Sequence, residues 1–289
     1  MIQGAMTAMV TPFTAAGEVD FDRLKANVNF QIDNGIDGLV PVGTTGESPT
    51  LSHDEHRKVI QTVVEAAGGR VPIVAGTGSN STAEAVELTK HAKSIGANAA
   101  LIVNPYYNKP TQEGLYRHYS MVADVGLPVV LYNIPGRSGV ELSIATIQRL
   151  AKHEHIVAIK EATGVLDVSS DVARTTDLDI VSGDDSLTLP IIAVGGKGAI
   201  SVVSNLVPAS VKALTKAALE GDFAGALSIH RKLFGLFKGA FIETNPIPIK
   251  TAMAIREMDT GVMRLPLCEM EAANRAALVR VLDQLEVTV

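Results

Sequence analysis

The run Ile156-Val157-Ala158-Ile159-Lys160-Glu161-Ala162 decides the reading of this chain. The four residues before Lys160 are apolar and largely β-branched, the composition of a buried strand. Such a strand delivers an amine to its C-terminal end, and lysine is seldom buried without a reason. Desolvation disfavours the ammonium, and a neutral amine attacks a ketone to form a Schiff base. The plainer reading is a strand-end lysine that snorkels to solvent or pairs with Glu161. On this stretch alone both readings stand.

Working outward, short β-rich runs recur at Ala5–Val10, Gly38–Val42, Val71–Ala75, Ala99–Val103, Pro128–Tyr132, Ile156–Lys160, Asp179–Ser182 and Ala199–Val203. Amphipathic helical stretches alternate with them: Phe21–Asn34, Ser52–Ala67, Ser81–Ile95, Gln112–Val125, Ser143–Lys152, Leu166–Arg174, Leu187–Val194 and Ala209–Leu219. Ser52 with Glu55, and Ser81 with Glu84, have the spacing of capping boxes, and Gly35, Gly68, Gly96 and Gly126 mark helix ends. Eight β-then-α units point to a parallel sheet closed into a (β/α)8 TIM barrel over residues 1–222. A doubly wound open sheet is the alternative, but Thr11-Pro12-Phe13 after the first strand is no glycine-rich phosphate loop. Past Leu219 the strand signal ends. Phe223–Phe241, Pro248–Glu257 and Leu267–Leu285 read as a C-terminal helical extension over 223–289.

The composition narrows the function classes. The chain has 289 residues, a net charge of −6 and scattered Lys and Arg, which argues against a nucleic-acid surface. Its charged fraction of 19% is lean and leaves apolar surface for a partner subunit. One cysteine, Cys268, permits no internal disulfide. Met1–Phe13 lacks the basic head of a secretory signal, and no apolar run has the length of a membrane span. A cytoplasmic protein that does not engage membranes is expected.

In a barrel of this kind chemistry belongs at the C-terminal ends of the strands. Those ends read Gly43-Thr44-Thr45-Gly46-Glu47-Ser48, Asn104-Pro105-Tyr106-Tyr107-Asn108, Tyr132-Asn133-Ile134-Pro135-Gly136-Arg137, Lys160-Glu161 and Ser182-Gly183-Asp184-Asp185. Taken singly, each has a structural explanation: a tight turn, packing aromatics, a surface arginine. Together they bring hydroxyls, phenols, one guanidinium and one amine to a single mouth.

Gly43-Thr44-Thr45-Gly46-Glu47, Tyr132-Asn133-Ile134-Pro135 and Ile159-Lys160-Glu161-Ala162-Thr163-Gly164 resemble the signatures of the pyruvate-dependent class I aldolases, the family that includes N-acetylneuraminate lyase. The likeness extends through Asn245-Pro246-Ile247-Pro248-Ile249-Lys250 and so covers nearly the whole chain. It implies that Lys160 forms the imine with pyruvate, that Tyr132 moves protons, and that Thr44 links Tyr132 to Tyr107 of a neighbouring subunit. It further implies that Thr45, Gly183 and Ile200 bind pyruvate without metal or other cofactor. Arg137 separates the branches. A guanidinium suits the carboxylate of L-aspartate 4-semialdehyde, whereas the sialic-acid lyases lack arginine there. The resemblance also implies a dimer of dimers, with the apolar stretch Leu187–Val194 at the weaker contact.

Ser48, His53, His56, Asn80, Glu84 and Tyr106 form a second constellation. A solvated helix face would account for His53 and His56, and two histidines with a glutamate could hold a metal, though the spacing matches no known signature. The resemblance implies an L-lysine inhibitor site, with Pro49 in place of the usual alanine. Two further classes stay open: a phosphate-handling barrel, for which Gly195-Gly196-Lys197-Gly198 lies before the eighth strand and not after it, and a non-enzymatic binding barrel.

Overall fold

The computed structural model describes residues 2–285. Eight parallel strands form its centre: β1 (Gly4–Ala8), β2 (Gly38–Val40), β3 (Val74–Gly76), β4 (Ala99–Val103), β5 (Val129–Asn133), β6 (Ile156–Glu161), β7 (Asp179–Ser182) and β8 (Gly198–Ser201). They are hydrogen-bonded in the order β2-β1-β8-β7-β6-β5-β4-β3. A parallel bridge between Leu39 and Ile73, and the Gly76 amide donating to the Pro41 carbonyl at 2.9 Å, join β2 to β3 and close the ring. The expected (β/α)8 barrel is therefore present.

Outside the strands lie α1 (Phe21–Asp33), α2 (His53–Ala67), α3 (Thr82–Ser94), α4 (Gln112–Ala123), α5 (Pro135–Ser138), α6 (Ile144–Leu150), α7 (Leu166–Thr175), α8 (Thr188–Ala193) and α9 (Pro208–Leu219). The C-terminal part holds α10 (Phe223–Gly239), α11 (Ile247–Ile255) and α12 (Ala272–Gln284). Two local expectations need correction. Ser52 and Glu55 form the expected capping box, but Ser81 caps nothing, because Glu84 is drawn instead to the Ser79 hydroxyl at 2.8 Å. The helix expected from Leu267 starts at Ala272. Met270 buries against the core, and the Glu271 amide donates to the Glu243 carboxylate at 3.0 Å instead of entering a helical ladder.

Alternation along each strand sorts the core into two layers. Met6, Val40, Val74, Leu101, Val130, Ala158, Val181 and Ile200 fill the inside of the barrel. Their neighbours, such as Leu39, Ile102, Leu131, Ile159 and Ile180, face the helices in a second cluster. That outer cluster continues into Leu236, Phe237, Ile249, Met253 and Leu278, so the C-terminal helices share the barrel's core. The apolar stretch at 187–194 is largely spent within the chain: Ile191 and Ile192 are buried, and Leu187 and Leu189 pack against the core. Gly198 is explained by close approach, since a Cβ there would lie 2.0 Å from the Gly4 carbonyl oxygen. Gly195–Gly198 thus ends at the entry of β8, on the face opposite the strand C-termini. Among the described residues no helix is long and apolar enough to cross a membrane.

Candidate active site

The two-residue period that points Ala158 into the barrel also points Lys160 inward. On the neighbouring strand it sends Tyr132 inward, and Tyr132 and Lys160 are register partners. Lys160 Nζ lies 4.2 Å from the centroid of the Tyr132 ring, and both residues are only 5% exposed. The amine thus lies over the negative face of the ring. Among the described residues the lysines in ion pairs are Lys25, Lys212, Lys216 and Lys250, and Lys160 is not one of them.

The pairing with Glu161 considered from the sequence does not form. Alternation sends Glu161 outward, where it accepts from the Thr163 amide at 2.6 Å and from Asn133 Nδ2 at 3.3 Å. Burial pushes the Glu161 carboxyl up from its ordinary range. Asn133 in turn accepts from Asn104, whose Oδ1 accepts from the buried Tyr119 hydroxyl at 2.6 Å. The outward neighbours of Tyr132 and Lys160 are therefore cross-linked, which fixes the two strand ends from behind.

Gly183 follows β7 at the same level. A Cβ on it would sit 2.9 Å from Lys160 Cε and 2.8 Å from the Ala162 methyl, so only glycine leaves the lysine its place. Ile200 belongs to the same interior cluster as Tyr132. A cavity of about 240 Å³ opens at this end of the barrel, and Thr44, Tyr132, Arg137, Ser48, Pro49 and Tyr106 all line it.

The loop after β2 is tightly wound. Val42 and Glu47 take positive φ values of 56° and 53°, and the Gly46 and Glu47 amides donate to the Gly43 and Thr44 carbonyls. A β-branched residue in this region is strained, a feature that clusters at functional sites. Thr45 is buried, with its Oγ1 accepting from Asn245 Nδ2 at 3.0 Å. Arg137, expected in a loop, lies in the single turn of α5, and its Nη2 donates to the Asn245 carbonyl at 2.9 Å. Tyr107 does not join the group within one chain. It is 90% exposed, with φ of 74°.

The second constellation assembles only in part. His53 Nε2 lies 2.9 Å from Glu84 Oε1, and Asn80 Nδ2 donates to the Tyr106 carbonyl at 3.2 Å. His56 is not on a solvated face: it is 5% exposed, and burial pushes it down to about 4. Burial, then the Glu84 charge, push the Tyr106 phenol up. Among the described residues no group of three or more His, Cys, Asp and Glu side chains is placed to hold a metal ion.

Sequence reasoning singled out Asn245–Lys250 and Glu47 as parts of motifs but assigned them no role. Lys250 and Glu47 form a wholly buried ion pair at 2.7 Å. The signal was a lone charge in the apolar helix Ile247-Pro248-Ile249-Lys250-Thr251-Ala252-Met253-Ala254-Ile255.

Comparison with known proteins agrees with this geometry. Residues 1–285 match the model of the dihydrodipicolinate synthetase family. The chain is 52% identical over 287 residues to the 4-hydroxy-tetrahydrodipicolinate synthase of Methanocaldococcus jannaschii, covering 99% of each chain. It superposes with a TM-score of 0.97 on the dihydrodipicolinate synthase of Acinetobacter baumannii complexed with pyruvate, at 43% identity and with each chain wholly covered. A lysine-bound enzyme from Cyanidioschyzon merolae gives a TM-score of 0.95 at 38% identity, over 98% of this chain and 97% of that one. The fold, the lysine-bearing strand and the full-length match agree: the chain belongs to the dihydrodipicolinate synthetase family.

Proposed function

We propose that the protein is a 4-hydroxy-tetrahydrodipicolinate synthase, which condenses pyruvate with L-aspartate 4-semialdehyde on the route to diaminopimelate and lysine. The observation that carries this is the buried Lys160 amine over the Tyr132 ring, outside any ion pair among the described residues. Its nitrogen attacks the pyruvate ketone carbon, water leaves, and a protonated imine remains. The imine draws electrons from the pyruvate methyl group, which loses a proton to give an enamine. The enamine carbon bonds to the aldehyde carbon, whose oxygen takes up a proton. The amino group of the semialdehyde then attacks the imine carbon, closing a six-membered ring and releasing Lys160.

Each proton transfer needs a group within reach. Tyr132 would serve, with Thr44, which lines the same cavity, as its relay. Thr45, Gly183 and Ile200 would hold pyruvate, and Arg137 the carboxylate of the semialdehyde, by a fork suited to that group. Holding two small anions side by side supplies part of the rate through proximity. Tyr107, almost wholly exposed, would complete the relay in a second subunit of a homo-oligomer. L-Lysine would act from the cavity wall formed by Ser48 and Tyr106, with His53, His56, Asn80 and Glu84 behind it.

Arg137→Ala is expected to lose condensation while imine formation with pyruvate at Lys160 persists. Wild-type turnover in that variant would refute the semialdehyde assignment. Added L-lysine is expected to lower the rate, and flat rates up to millimolar lysine would remove the inhibitor site.

A further inference from the structure

One residue touches both groups assigned to the two substrates. Asn245 is 4% exposed; its side-chain Nδ2 donates to Thr45 Oγ1 at 3.0 Å, and its main-chain carbonyl accepts from Arg137 Nη2 at 2.9 Å. We infer that Asn245 is a positioning residue that sets the pyruvate group Thr45 and the semialdehyde group Arg137 against each other, held in register by the buried Lys250–Glu47 pair. The inference rests on the condensation proposed above.

The polarity of the first bond matters. An amide N–H that donates into the Thr45 oxygen leaves the hydroxyl proton free for another acceptor, such as the carboxylate of pyruvate. A hydroxyl facing a buried acceptor instead would spend its proton there. Asn245 therefore orients Thr45 as well as holding it.

Five residues on, Lys250 fixes the segment. Its Nζ donates to Glu47 Oε1 at 2.7 Å, to the Thr11 carbonyl at 2.9 Å and to the Val262 carbonyl at 2.6 Å, which uses all three ammonium donors. The Phe13 ring covers it, with the centroid 4.3 Å away. Glu47 lies two residues after Thr45 in the same loop, and its second oxygen accepts from the Arg264 amide at 3.1 Å. The loop and the C-terminal segment are thus joined twice, Thr45 to Asn245 and Glu47 to Lys250. Both charges of the pair are fully buried. Such a pair is weak support for stability, because desolvation offsets its attraction; fixing a register is its better-attested use.

The test is steady-state kinetics on the full chain, with pyruvate and L-aspartate 4-semialdehyde varied separately. Asn245→Asp keeps the shape and the carbonyl facing Arg137 but replaces the donor with an acceptor that captures the Thr45 proton. The KM for pyruvate is expected to rise about tenfold or more, while the KM for the semialdehyde stays within about threefold of wild type. A pyruvate KM within about twofold of wild type, or equal rises in both values as general loosening would give, overturns the assignment. Should Asn245→Asp fail to fold, Thr45→Val serves instead. Its pyruvate KM should rise alike, and adding Asn245→Ala should raise it no further; independent, multiplying effects overturn the link. Absence of wild-type turnover would defeat the condensation itself and the inference with it, whereas turnover with unchanged pyruvate KM defeats the role of Asn245 alone.

Discussion

The corner formed by Lys160 and Tyr132 and the cluster around His53, His56, Glu84 and Tyr106 lie on the same end of the barrel but are built differently. The corner stands on two adjoining strands whose register is fixed, and cross-linked neighbours brace it from behind. The second cluster stands on the first turns of two helices and on the loop after β4, where adjacent residues go to unlike places. Tyr106 lines the cavity, whereas Tyr107 is 90% exposed. Strand-borne groups take their positions from alternation and pairing. Loop-borne groups take theirs from hydrogen bonds distant in sequence, and Tyr107 stays exposed on its own chain.

If this contrast is right, substitutions in the corner should change catalysis far more than stability. Tyr132→Phe keeps the ring that covers Lys160 and removes only the hydroxyl, so kcat should fall by about 10²–10⁴-fold with little change in thermal midpoint. An equal loss from substituting Glu84 by Gln would erase the distinction between the regions. Gly183→Ala comes next. Its methyl would displace Lys160 or Ala162 by a fraction of the missing contact distance, and a misplaced nucleophile costs about 10²-fold in kcat/KM. Borohydride trapping at unchanged speed in that variant would show that the lysine has room to spare.

The smallest effect belongs to the second cluster and appears in stability. Burial disfavours the charged form of His56 and pushes it down to about 4 from its ordinary 6.5. The unfolded chain therefore takes up more protons between those values. Stability from this residue is complete above about 6.5 and is lost as the pH falls toward 4. Thermal melts of wild type and His56→Asn should show a shallower decline in the variant across that window. Parallel curves would mean that His56 does not titrate as a buried neutral group.

The barrel was legible because eight apolar runs and their glycine-terminated helices repeat one local unit, and each local preference agrees with the global fold. Lys160 was legible for the same reason, since a charge at the end of an apolar strand violates the pattern. Its independence from Glu161 also follows from strand alternation, once the strand is known to be covered on both faces. Asn245 was not legible as a site residue. Its link to Thr45 spans 200 positions and that to Arg137 spans 108, and no local periodicity encodes either. The unmade cap at Ser81 failed for a related reason: Ser79 and His53 compete for the carboxylate that the spacing assigned to the cap.

The central claim is that the Lys160 amine forms an imine with pyruvate. Incubating the protein with pyruvate and borohydride, then mapping the modified peptide by mass spectrometry, reads this directly. Expected is one reduced pyruvyl group per chain, on Lys160, absent without pyruvate and absent in Lys160→Ala. An unmodified chain, or a label that persists in Lys160→Ala, would contradict it.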